Sequence, residues 1–162
     1  MKIHTSLVCW LLLTIAMLAI ACNTKKNKNL DSFYTDGGEW DSARIPFIKP
    51  YEAIKSDDRY GWIMNLEGID GDTGILNIQM AGIVNGTILL YSTNTILHGN
   101  DVKEAWYVII PKQHLEKGFG SYRAYLSYLR ALGFKNTPKL HNIRTIASYF
   151  DDHETIDWNR IE

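Results

Sequence analysis

The chain has 162 residues, 17 basic and 18 acidic side chains, and 46% hydrophobic residues, enough apolar material for one domain built on a single core. Setting aside Lys2, Lys25, Lys26 and Lys28 leaves 13 basic against 18 acidic side chains, about −5, with no cluster of Lys or Arg, which excludes the basic footprint of a nucleic-acid binder. The two cysteines, Cys9 and Cys22, both precede residue 31, so the remainder can hold neither an internal disulfide nor a cysteine metal site.

At the amino terminus Lys2 precedes an apolar run over residues 7–21, and small residues then lead into a cysteine. A basic start, a hydrophobic stretch and a processing site in that order read as an export signal. Ala19-Ile20-Ala21-Cys22 resembles the lipobox of bacterial lipoproteins, with Ala19 where that family usually has Leu and Leu18 one place further back. The resemblance implies that residues 1–21 are a signal peptide cut before Cys22, and that Cys22 carries acyl chains of the palmitate type. It places the protein in the cell envelope, lipid-anchored to a bacterial membrane, with its domain outside the cytoplasm. Acyl chains tether strongly, because each buried methylene contributes about 0.8 kcal/mol. Two alternatives stay open. Ala19-Ile20-Ala21 also fits the A-x-A site of ordinary secretion, and an uncleaved anchor would need a run closer to the roughly 20 apolar residues that span a bilayer.

Residues 22–30 follow as a flexible tether. Between Asn23 and Asn29 there is no apolar side chain, so nothing offsets the entropy of ordering it. Residues 31–162 form one domain. An extended lead-in with Gly37-Gly38 runs into residues 45–51, where Pro46 and Pro50 remove ladder donors and make this an edge segment or strap. Residues 61–66 read as a buried strand, and Asp70-Gly71-Asp72-Thr73-Gly74 as a polar turn. Leu76, Ile78 and Met80 alternate with polar positions as in a half-buried strand. Asn85-Gly86, between two apolar runs, predicts a type I′ hairpin, and His98-Gly99-Asn100-Asp101 a further turn. Residues 105–110 read as another strand, closed by Pro111.

Helical spacing then takes over. Ser121 is positioned as an N-cap; Tyr122, Tyr125, Leu126, Leu129 and Leu132 share one side, and Gly133 is placed to end the helix. Leu126 and Leu129 are expected to anchor it, with Arg123 and Arg130 facing water. A second helix has Leu140, Ile143, Ile146, Ala147 and Phe150 on one face and Asn142 as its cap. The expected architecture is α+β: an antiparallel β-sheet meander with two C-terminal helices packed on one face.

Chemistry-bearing motifs are sparse. Asp70 and Asp72 alternate as in calcium loops, with Glu67 upstream, but Gly74 and Ala81 stand where such a loop needs its later oxygen ligands. A plain turn is the expectation, and no metal site is assigned. His98, His114, His141 and His153 form no ligand pair, and Asp151-Asp152-His153-Glu154 reads as a solvated acidic loop. No nucleophile elbow, phosphate loop or dinucleotide fingerprint is present, so no catalytic residue and no cofactor is assigned.

Aromatic residues are the remaining signal. Neighbours on a strand face opposite sides, so one of Trp106 and Tyr107 points away from the core unless both faces are covered. Tyr128 falls at the edge of its helical stripe. Trp106, Tyr107 and Tyr128 are therefore the candidate binding residues. The expected function is that of a membrane-anchored, non-enzymatic binding protein with a protein partner, one form of which is a periplasmic toxin-immunity protein. The alternative is a small envelope enzyme or glycan-binding module using these aromatics with Glu67, Asp70 or Asp72. A cleft ringed by carboxylates would favour the alternative, and a convex face the immunity form.

Overall fold

The computed structural model describes residues 30–38, 43–56, 60–69 and 71–162; the export signal, Cys22, the tether through Asn29 and Asp70 lie outside the described residues. Asp31–Glu162 forms one unit. Asp31 caps a short 3-10 turn, Ser32–Tyr34, its Oδ1 accepting from the Phe33 amide at 3.0 Å. Four short strands follow, β1 (Arg44–Pro46), β2 (Glu52–Lys55), β3 (Trp62–Asn65) and β4 (Gly74–Ile75), paired antiparallel in that order. The proline-bearing strand lies at the edge, where a missing N–H costs no ladder bond, and Pro50 sits in the turn that follows it. Ile45, Ala53, Trp62, Met64 and Ile75 point inward. Residues 61–66 were expected to form a buried strand. Instead β3 is buried on one face only: Trp62 and Met64 are inward, Ile63 is partly covered and Asn65 exposed.

The larger sheet contains β5 (Ile78–Val84), β6 (Thr87–Leu97), β7 (Asn100–Ile110), β8 (Leu115–Phe119) and β9 (His141–Asn142), in the order β8-β7-β6-β5-β9. Two hairpins with two-residue turns set its registers. Asn85 and Gly86 have φ of 52° and 72° and bring Val84 opposite Thr87; His98 and Gly99, at 49° and 74°, bring Leu97 opposite Asn100. Positive φ at both positions is what a type I′ turn demands, and Asn, His and Gly tolerate it best. The alternation expected over Leu76, Ile78 and Met80 is interrupted. A register shift between Ile78 and Met80 leaves Ile78 on the face of Leu90 and turns Met80 to the face of Tyr91.

Helix α1 (Tyr122–Ala131) starts where Ser121 Oγ accepts from the Ala124 amide at 3.2 Å and ends at Gly133, φ 89°, with the Phe134 amide donating to the Leu129 carbonyl. Its Tyr125 and Leu129 pack on Leu89, Val108, Ile110 and Phe119. Helix α2 (Ile143–Asp151) is capped by Asn142, whose Oδ1 accepts from the Arg144 amide at 2.9 Å. Ile143 and Ile146 join Ile45, Met64, Ile75, Ile88, Leu90 and Ile109 in the main core.

The class is therefore α+β, with antiparallel strands and C-terminal helices as expected. The arrangement is more elaborate than one meander with both helices on one face. The described residues form two sheets, and the helices take opposite faces of the larger one. Leu89 and Val108 face α1, while Ile88, Leu90 and Ile109 face the small sheet and α2. Both sides of β6 and β7 thus need covering, and two separate covers supply it. No helix among the described residues is long and apolar enough to cross a membrane.

One close approach shapes the rim of the α1 face. A Cβ on Gly82 would lie 2.9 Å from the Lys139 carbonyl oxygen and 3.2 Å from Leu140 Cδ2. Gly82→Ala should therefore push the 139–140 segment off β5 and lower stability by about 1–3 kcal/mol in thermal melts. An unchanged midpoint would show that this crossing is slack.

Candidate functional site

Helix α1 does not cover its whole face of the larger sheet. Past Leu89 and Val108, the next residues on that face are Tyr91 and Trp106, and beyond them Glu104. Tyr91 and Trp106 are register partners on β6 and β7, so their rings meet across the strands, centroids 5.3 Å apart and planes inclined at 36°. Tyr122, in the first turn of α1, continues the row 5.5 Å from Trp106, and Tyr125 lies 6.1 Å from Tyr122. Thr137, Pro138 and Leu140, with Met80 turned to this face by its bulge, complete the lining. The result is an open cleft of about 500 Å³.

The polar groups of this cleft are few and specifically placed. Tyr91 Oη donates to Glu104 Oε1 at 2.8 Å; that bond, with some burial, raises the Tyr91 pKa above the usual phenol value. Tyr125 is only 1% exposed, and burial pushes its hydroxyl up to about 12. That hydroxyl has no hydrogen-bond partner among the described residues. A buried hydroxyl left so costs about 1–3 kcal/mol relative to a satisfied one, which makes it an exception in a folded core.

The three aromatic residues singled out from the sequence fall in three different places. Trp106 is half-buried in the cleft. Tyr107 points to the opposite face into the main core, 1% exposed, its hydroxyl donating to the Ile96 carbonyl at 3.1 Å and pushed up to about 12 by burial. Tyr128 lies on α1 against Phe119, centroids 5.1 Å apart, with Lys117 Nζ 5.0 Å above its ring. Tyr91, Glu104 and Tyr122 were not marked as binding residues by sequence pattern. One signal would have found the first two: counting back from the His98-Gly99 turn pairs Tyr91 with Trp106 and Thr93 with Glu104.

Of the carboxylates near the Asp-Gly turn, one has a scaffold role. Asp72 is buried and accepts from the His98 amide at 2.7 Å, with His98 Nδ1 3.5 Å away, so it pins the β6–β7 hairpin. Glu67 is exposed, 3.6 Å from His114 Nδ1. Neither lines the cleft. His153 Nδ1 meets the Tyr149 carbonyl at 2.7 Å, and its ring stacks on Tyr149. Among the described residues, no group of three or more His, Cys, Asp or Glu side chains gathers closely enough to hold a metal ion.

Comparison with protein-family models, with curated proteins and with solved structures finds no match to this chain.

Proposed function

We propose that this protein is a non-enzymatic binding protein of the cell envelope, held to the membrane through acylated Cys22, and that the cleft beside α1 is its binding site. The observation that carries the reading is the cleft itself. Tyr91, Trp106 and Tyr122 line a concavity of about 500 Å³, within the range of small-molecule sites, with a few convergent polar groups. Aromatic side chains give large contact area for little lost rotamer entropy, which is why they dominate binding surfaces. A concave site admits a small molecule or one protruding side chain, in preference to a flat partner face.

Two measurements test the two halves. Metabolic labelling with a fatty-acid analogue should mark the wild-type protein and not Cys22→Ser; label retained by the variant overturns the anchor. A photoreactive analogue in place of Tyr122, in the membrane-held protein, should yield a discrete adduct that Trp106→Leu removes. The same analogue in place of Arg130, exposed elsewhere on α1, should yield none. Equal labelling at both positions overturns the cleft as binding site.

A further inference from the structure

The cleft is chemically one-sided. Among the described residues, Glu104 is the one charged side chain that lines it, and no Lys, Arg or His does. Glu104 forms no ion pair among the described residues; its only hydrogen bond there comes from the Tyr91 hydroxyl, a neutral donor. The three rings that line the cleft with it, Tyr91, Trp106 and Tyr122, have negatively polarised faces, which attract cations and repel anions. An anion would therefore meet a carboxylate and aromatic rings, with no cationic side chain among the described lining residues.

A neutral sugar fits less well than a cation. Its several hydroxyls would lose water against walls made largely of Met80, Pro138, Leu140 and the aromatic rings, and each unsatisfied one is costly. Among cations, a protonated amine can donate an N–H to the Glu104 carboxylate, which a quaternary ammonium ion cannot. The apolar walls, in turn, suit a carbon stem behind the charge.

We infer that the cleft binds an alkylammonium group, with Tyr91, Trp106 and Tyr122 around its charge and Glu104 as counter-ion accepting its N–H. This rests on the cleft being the binding site. The same group is found on a free amine and on a lysine side chain of a partner, and the test separates the two.

The full chain in detergent is titrated calorimetrically with hexylamine, 1-hexanol, a pentapeptide with a central lysine, and methyl glucoside. Hexylamine should bind about tenfold more tightly than the isosteric alcohol, the range expected for a partly desolvated cation on aromatic faces. Glu104→Gln and Trp106→Leu should each weaken hexylamine about tenfold. Hexylamine binding at least as tightly as the peptide assigns a free amine; tighter peptide binding assigns a lysine of a partner. Equal affinity for amine and alcohol, or a preference that survives Glu104→Gln, overturns the inference. Binding of methyl glucoside but not hexylamine, lost in Trp106→Leu, overturns the inference and leaves the binding site standing. Binding of no probe, together with no Tyr122 adduct, removes both.

Discussion

Glu116→Ala should lower folding stability by about 3–5 kcal/mol, the largest single effect expected outside the apolar core. Glu116 is 4% exposed, and its carboxylate accepts four hydrogen bonds. Tyr51 Oη donates at 2.9 Å, and the amides of Glu67, Gly68 and Ile69 donate at 2.6, 3.0 and 3.0 Å. Hydrogen bonds to a charged acceptor contribute about 1.5–3 kcal/mol each, and donors left behind by the truncation keep only what water can reach. Burial, then the adjoining Glu116 carboxylate, holds the Tyr51 phenol protonated well above its usual range, so it remains a donor at any ordinary pH. Glu116→Gln keeps the shape but sets an amide NH2 against backbone N–H donors, and should cost about 2–3 kcal/mol. In urea titrations both variants should lower the midpoint with the slope unchanged. A loss below about 1 kcal/mol in Glu116→Ala would mean that water serves these donors as well as the carboxylate does. The consequence is architectural: Glu116 lies on the outer strand of the larger sheet, and its donors belong to the loops flanking the smaller one.

Leu129→Ala should cost about 2–5 kcal/mol, the usual range for a leucine emptied from a core. Leu129 is 2% exposed among Leu89, Val108, Ile110 and Tyr125. Leu126 has an equal claim to anchor the helix by helical spacing. It is only partly buried, so Leu126→Ala should fall at or below the low end of that range, and exposed Arg130→Ala should change little. The same helix carries Tyr122 and Tyr125, so Leu129→Ala should also weaken cleft ligands, whereas Arg130→Ala should not. Equal costs at the three positions would mean that α1 sits in a different rotational phase. A large loss of stability without loss of ligand affinity would show that the cleft does not need α1 held in place.

What was legible in the sequence is what a few neighbouring residues decide among themselves. Ser121 and Asn142 cap their helices, Gly133 ends α1 and Asn85-Gly86 turns a hairpin, because each satisfies a local demand, an orphan amide or a positive φ, that few residue types meet. Helical spacing likewise identified Tyr125 and Leu129 as inward residues. Strand β8 leaves no pattern in the sequence, because Glu116, Lys117 and Gly118 break its apolar alternation. Glu116 is inward only because donors 47 to 65 residues away in the chain meet it there.

The site was legible only in part for the same reason. The sequence by itself determined that this is an α+β chain with a cysteine-free, acidic domain, and that Trp106 and Tyr107 face opposite sides of a strand. Which side is core depends on what covers each face, and that was decided by the small sheet packing on one side and α1 incompletely covering the other. Tyr107 was buried by the first and Trp106 left lining a cleft by the second. A one-residue bulge then turned Met80 into that cleft. Local steric and hydrogen-bonding rules act over a few residues and leave their mark in sequence; a concavity exists only where distant segments fail to meet, and no short run of residues records that.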